Sequence, residues 1–232
     1  LACTSCSDSW LDLNPSTSVP TDQAFSSLED AQSALNGIYR LASAHSYYGD
    51  NFFYFGDCRA ADVQARMTKG DGRRVSPYYE YNVKATDSFN SSLPWNQVYK
   101  VIRQTNNLIA ATESGLIKTT DEAALNEIKA QALAMRGLAL YDLIRVFAMP
   151  YSYDNGQSLG VPIVTTATDQ SSKPARNTVA ECYDQIITDL TNSLAGLSKE
   201  KKDGCLNYWA VQGILSRVYL NKLDYPNAYK AA

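Results

Sequence analysis

Between positions 128 and 150 the chain reads I-K-A-Q-A-L-A-M-R-G-L-A-L-Y-D-L-I-R-V-F-A-M-P, its longest unbroken helical pattern. Ile128, Ala132, Met135, Ala139, Leu143 and Val146 recur every three or four residues, which places them on one face. Leu138 and Phe147 broaden that face, so the helix is expected to be covered on more than one side. Lys129, Gln131, Arg136 and Asp142 form the remaining polar stripe. Thr119 and Glu122 fit a capping box ahead of the helix, and Pro150 closes it. Ala and Gly137 alternate with bulky residues, and small residues let a neighbouring helix approach closely.

The same reading places other helices on both sides. Ser27 is a candidate N-cap with Asp30 three residues on, and Ala31, Ala34, Leu35, Ile38 and Leu41 make a buried stripe. The densely aromatic run 45–55 predicts a short helix reaching through Asp57 and Asp62. Pro94 suits the first position of a helix over about 94–112, lined by Trp95, Val98, Tyr99, Ile102, Asn106 and Ile109. Thr178 and Glu181 form a second capping box, and Asn207 caps a helix carrying Val211, Ile214, Leu215, Val218 and Tyr219. Residues 160–166 are expected to be extended. Positions 66–90 are the least helical stretch: Gly70-Asp71-Gly72 signals a turn, Pro77 breaks structure, and Tyr78, Tyr79 and Tyr81 follow. A loop this long in a helical domain is functional or disordered, and its aromatic content argues for function.

Residues 210–228 resemble the turn region of a tetratricopeptide repeat, and the pair 95–112 with 121–148 repeats the helix-pair theme. The predicted fold is all-α, with tetratricopeptide-like helix pairs in a right-handed stack and long irregular loops. The final helix is about two turns long, too short to stand alone, so the chain is expected to continue beyond residue 232.

The totals remove whole classes of function. A formal charge of −3 gives no basic footprint, so nucleic acid is not an expected partner. A single histidine, His45, argues against His-based catalytic sets and His-rich metal sites; no cofactor or metal is expected. No window approaches the roughly 18 apolar residues of a membrane span. Sixteen tyrosines are many for this length. They either pack helix pairs or build polar-aromatic recognition surfaces.

The N-terminus reads as the tail of a bacterial lipoprotein signal: small residues, then Cys, then Ser-Asp. Cys6 is the better candidate for lipidation and Cys3 the competitor; Cys3-x-x-Cys6 as a redox or metal pair lacks a second Cys pair to answer it. The polar stretch 7–21, with Pro15 and Pro20, reads as a tether. Residues 1–20 are thus assigned to anchor and tether, and 21–232 to one helical domain. Export would permit disulfides, but Cys58, Cys182 and Cys205 specify no pairing.

Catalytic motifs are sparse. Gly156-Gln157-Ser158-Leu159-Gly160 matches G-x-S-x-G, but that motif needs a strand before it, a helix directly after it and a downstream histidine. None of the three is predicted here. Asp154-Asn155-Gly156 lacks the spaced acids of a calcium loop. The surviving candidate is a carbohydrate face, where aromatic rings cover sugar C–H patches and Arg, Asn and Asp meet the hydroxyls. Arg73, Arg74, Tyr78, Tyr79 and Tyr81 are the leading residues; Tyr47, Tyr48, Trp95 and Asn96 come second. Trp95 also begins a buried stripe, which is the competing reading for it.

Several motifs jointly resemble the SusD/RagB family. They are Leu11-Asp-Leu-Asn-Pro15, Ala34-Leu-Asn-Gly-Ile-Tyr39 and Trp95-x-x-Val-Tyr99-x-x-Ile102-x-x-x-Asn106. The stretch 136–147, Gly160-Val-Pro-Ile-Val164, Thr178-Val-x-Glu181 and Ser216-Arg-Val-Tyr-Leu220 complete the set. The resemblance implies a surface glycan-binding lipoprotein of the bacterial outer membrane. It would capture oligosaccharide without catalysis and deliver it to a SusC-like TonB-dependent transporter. It also implies that this chain matches the family's N-terminal half, since members are about twice as long. The family has no universal ligand motif, so the site residues above remain a local reading. A helical-repeat scaffold for a protein or peptide partner is the alternative function; a surface glycoside hydrolase is a third, whose acid pair sequence alone does not reveal.

Overall fold

The structure is a computed structural model that describes residues 25–60, 76–82, 94–166 and 172–232. Among these the chain is all-α, with α1 (Leu28–Ala42), α2 (Asn51–Asp57), α3 (Ser76–Tyr79), α4 (Trp95–Glu113), α5 (Glu122–Phe147), α6 (Val179–Ser193), α7 (Tyr208–Asn221) and α8 (Tyr225–Ala231). A π-turn spans His45–Gly49 and a 3-10 turn spans Tyr151–Tyr153. No described helix is long and apolar enough to cross a membrane.

The hub is α5, which packs against α4 and α6 and also meets α1 and α7, while α7 pairs with α8. From Ala130 to Ile144 every residue is buried except Leu133 and Leu138, which are half-buried. A helix enclosed this far loses its one-sided pattern, as its mixed sequence predicts. Small residues set the spacing. A Cβ on Gly137 would lie 2.9 Å from Leu190 Cγ, so α5 and α6 touch there nearly backbone to side chain.

Local signals fix most helix starts. Ser27 with Asp30, and Thr178 with Glu181, form complete capping boxes. Asn207 accepts the amide of Ala210 at the start of α7. The expected Thr119–Glu122 box is corrected. Asp121 is the N-cap of α5 and accepts from Ala124 N, while Thr119 Oγ1 accepts from Asp121 N. Two oxygen side chains stood close enough to compete, and the nearer one capped. Pro94 likewise serves as N-cap rather than first helical residue. The aromatic run after α1 divides into the π-turn and α2, which ends at Asp57.

Residues 160–166 form a strap laid across α4 and α5. Tyr99 Oη donates to Pro162 O at 2.9 Å, Asn106 Nδ2 to Val164 O at 2.9 Å, and Arg136 Nη1 to Thr165 O at 3.1 Å. Beneath it Arg136 makes a two-pronged ion pair with Asp189, Nε to Oδ2 at 2.8 Å and Nη2 to Oδ1 at 2.6 Å. The same guanidinium donates to Asn106 Oδ1 at 2.9 Å. One side chain therefore joins α4, α5, α6 and the strap.

Candidate carbohydrate ledge

The aromatic residues after α1 sort by depth. Tyr47 and Tyr48 stack with ring centroids 4.2 Å apart, and Phe52 meets both edge-on. Tyr47 Oη donates to Asp142 Oδ2 at 2.6 Å, Tyr48 Oη donates to the same oxygen, and Arg145 pairs with Oδ1. Burial, then the Asp142 charge, pushes both phenols well above the ordinary tyrosine range. Tyr47 is fully buried. Its expected place on a ligand platform is therefore corrected: it is a core residue that fastens the π-turn to α5. Tyr48 is half-buried, with its hydroxyl committed to the same carboxylate.

Beyond Phe52 the rings turn outward. Phe53 is exposed, and Phe55 meets Tyr78 edge-on at 5.7 Å. Tyr78 itself is buried, which corrects its expected place among the leading ligand-contact residues. Tyr79 is half-buried, whereas Tyr81 is 69% exposed.

The backbone explains how Tyr81 is presented. The amide of Tyr81 donates to Tyr78 O at 3.2 Å and that of Asn82 to Pro77 O at 3.0 Å. This is the hydrogen-bond pattern of a Schellman helix end, with Tyr81 at the left-handed position that glycine usually fills. Its φ is +56°. A side chain in that conformation costs on the order of 1 kcal/mol. Two contacts hold it there. Tyr81 Oη donates to the carbonyl of Arg59. The Arg59 guanidinium lies 4.8 Å from the Phe55 ring centroid and 5.8 Å from that of Tyr81. Phe55, Arg59 and Tyr81 make a stacked ledge, while Phe53, two residues before Phe55, is exposed on a different face of α2.

Trp95 is half-buried at the foot of α4, between Phe147 at 4.9 Å, Tyr99 at 5.0 Å and the Arg176 guanidinium at 5.4 Å. Its neighbours already cover it on three sides, whereas Asn96 beside it is exposed. Arg73 and Arg74, like the lipidation candidates Cys6 and Cys3, lie outside the described residues. Arg59 and Phe53 were absent from the sequence-derived list. The signal for Arg59 was its four-residue spacing from Phe55 on a helical run, a spacing that brings side chains together.

A groove of about 740 Å³ runs along α5 between α4 and α6, past Asn126, Lys129, Arg136, Gln185, Thr188 and Asn192, and no aromatic ring lines it. The G-x-S-x-G segment is structural: Ser158 Oγ donates to Asp154, and a Cβ at Gly160 would lie 2.9 Å from Cys182 Sγ in α6. No cluster of three or more metal-ligating side chains occurs among the described residues.

Comparison with known proteins agrees with this architecture. A SusD superfamily protein of Bacteroides thetaiotaomicron superposes with a TM-score of 0.84 at 64% identity, covering 88% of this chain and 45% of that one. A SusD superfamily protein of Bacteroides vulgatus gives 0.83 at 33% identity over 89% of this chain and 46% of its own. A SusD-like protein of Bacteroides ovatus is 27% identical over 222 residues, 96% of this chain and 38% of that protein. The chain thus spans less than half the length of these relatives. Residues 9–220 match the SusD-like family model, described as starch-binding and associating with the outer membrane, and the chain belongs to that family.

Proposed function

We propose that this chain supplies part of the sugar-gripping surface of a non-catalytic glycan-binding protein. The protein would be held on the outer membrane by a lipid on Cys6, or on Cys3, with 1–20 as anchor and tether and 21–232 as the family's N-terminal helical domain. It would deliver oligosaccharide to a SusC-like TonB-dependent transporter. The family's description as starch-binding and associating with the outer membrane supports the ligand class and the location.

The observation that carries the reading is Tyr81. A tyrosine occupies a backbone position where glycine would be relaxed, and its ring faces solvent beside Arg59. Strain kept at an exposed ring is explained by a use for that ring. One sugar stacked on it, burying about 50 Å² of apolar surface, gains about 1 kcal/mol. Several contacts then give affinities of about micromolar to millimolar, suited to capture and release. Tyr79, two residues before Tyr81, is the supporting residue on this ledge, and exposed Asn96 at the start of α4 is a further candidate.

Isothermal titration against soluble starch, laminarin and peptide panels tests the reading. Binding to at least one glycan, weakened about fivefold or more in Tyr81→Gly, is the expected result. A response to peptides alone would support a helical-repeat scaffold instead. Glycan binding indifferent to Tyr81→Gly would remove the ledge from the site.

A further inference from the structure

Among the described residues, three arginines lie over aromatic rings: Arg59, Arg145 and Arg176. A guanidinium attracts rings through its faces, while its N–H donors point outward in its plane. Two of the three use that edge internally. Arg145 Nη2 donates to Asp142, and Arg176 Nη1 donates to Gly160 O at 2.8 Å and Phe147 O at 3.2 Å. Arg59 is exposed, and its guanidinium meets no acceptor and no carboxylate among the described residues. Neither Asp57 nor Glu80, both nearby in the fold, closes an ion pair with it.

The group is nonetheless held in place. Phe55 and Tyr81 pack on it, and the Tyr81 hydroxyl fastens to the Arg59 carbonyl. A surface arginine ordinarily gives up side-chain freedom when it binds an anion. Here stacking has already removed much of that freedom, so less is lost per hydrogen bond formed. That edge, unclaimed among the described residues, presents parallel donors that match the two oxygens of a carboxylate or a sulfate ester. A pyranose resting on Tyr81 would bring a charged substituent beside that edge.

We infer that the ledge is selective for an acidic glycan, its charge a uronate carboxylate or a sulfate ester, read by Arg59 while Tyr81 carries the ring. This rests on the carbohydrate reading above and narrows its substrate class. This chain is slightly acidic, with a formal charge of −3, so the preference would come from this one oriented cation and not from the net charge of the chain.

The test titrates wild type with size-matched pairs: oligogalacturonate against its methyl ester, and a sulfated galactan oligosaccharide against its desulfated form. The expected result is about tenfold tighter binding of the charged member of at least one pair, weakening as salt is raised. That pair names the charge that is read. Arg59→Gln, with an unchanged Tm, should bring the affinities for the two members within about twofold of each other. Arg59→Lys should recover only part of the preference, because it restores charge without the fork. Equal binding of charged and neutral members by wild type, or a preference surviving in Arg59→Gln, overturns the inference and leaves the glycan reading standing. Absence of binding to every glycan overturns both.

Discussion

Two arginines frame the molecule. Arg136, in the middle of α5, is 9% exposed, and its partner Asp189 on α6 is 2% exposed. Every direction in which its guanidinium donates meets an oxygen supplied by α4, α6 or the strap. Arg59, just past α2, lies over the Phe55 and Tyr81 rings, and no acceptor among the described residues meets its donor edge. The first has many partners because burial leaves an unpaired charge intolerable. The second is fixed by ring faces, an arrangement that orders a cation without consuming its hydrogen bonds. Rigidity in this fold thus comes in two forms, one that closes a core and one that leaves a functional group ready.

If that contrast is right, the interior should yield stability effects without binding effects, and the ledge the reverse. The largest expected change is at Arg136. Arg136→Ala strands the Asp189 carboxylate and two further oxygens, Thr165 O of the strap and Asn106 Oδ1 of α4, and should cost about 3–5 kcal/mol in urea denaturation. The double variant Arg136→Met with Asp189→Leu should recover most of that loss, since apolar replacement of both partners is often neutral or better. A single-variant loss below about 1 kcal/mol would show that the pair is hydrated and the comparison false.

Gly137, one residue on, gives a second interior test. Alanine normally favours a helix over glycine by about 1 kcal/mol. Here the new Cβ would sit 2.9 Å from Leu190 Cγ and 3.3 Å from Asp189 Cβ. Overpacking of this kind costs about 1–3 kcal/mol, so the net sign should be destabilising. A stabilised Gly137→Ala would mean that α5 and α6 separate easily, and that Asp189 is not rigidly placed under Arg136.

These interior relations were only half visible in the sequence. The hub helix, the Ser27 and Thr178 boxes and the Asn207 cap were legible because they depend on residues three or four apart. Arg136 read as part of a polar stripe because its partner lies 53 positions away. Asp142 read the same way, although Tyr47 reaches it from 95 positions upstream. Aromatic composition marked 45–81 as rich in rings, but not which rings face out. That choice was made by the Schellman turn, whose signal was hidden because Tyr81 stands where glycine would have announced the helix end. Arg59 carried a ring at four-residue spacing and still passed unnoticed, since its meaning depends on Tyr81 arriving from another segment.

On the ledge the effects should separate the other way. Tyr81→Gly relieves the left-handed strain, about 1 kcal/mol, while losing one exposed hydrogen bond and a solvent-facing stack of similar worth. Its Tm should therefore move little or rise slightly while glycan affinity falls about fivefold or more. A variant that unfolded early with unaltered affinity would make Tyr81 a structural clip, and the two arginines would then differ only in depth.

The smallest expected effect is at the start of α6, the helix that carries Asp189. Hydrogen bonds from the Thr178 backbone amide, the Thr178 hydroxyl and Asn177 hold the Glu181 carboxyl below its ordinary value of 4.5. Asp30, bonded by Ser26 and Ser27, is likewise held below 3.8 at the start of α1. A carboxyl with a depressed folded-state pKa contributes stability that is fully present above its unfolded value and is lost as pH falls through the folded one. Both boxes should therefore be intact at pH 6 and progressively lost below about pH 4.5. Thr178→Ala should cost about 1 kcal/mol at neutral pH by removing the cap oxygen. Glu181→Ala should flatten the acid limb of the stability profile measured between pH 6 and pH 3. An acid limb unchanged in Glu181→Ala would place the acid sensitivity elsewhere and leave the entrance to α6 held by Thr178 alone.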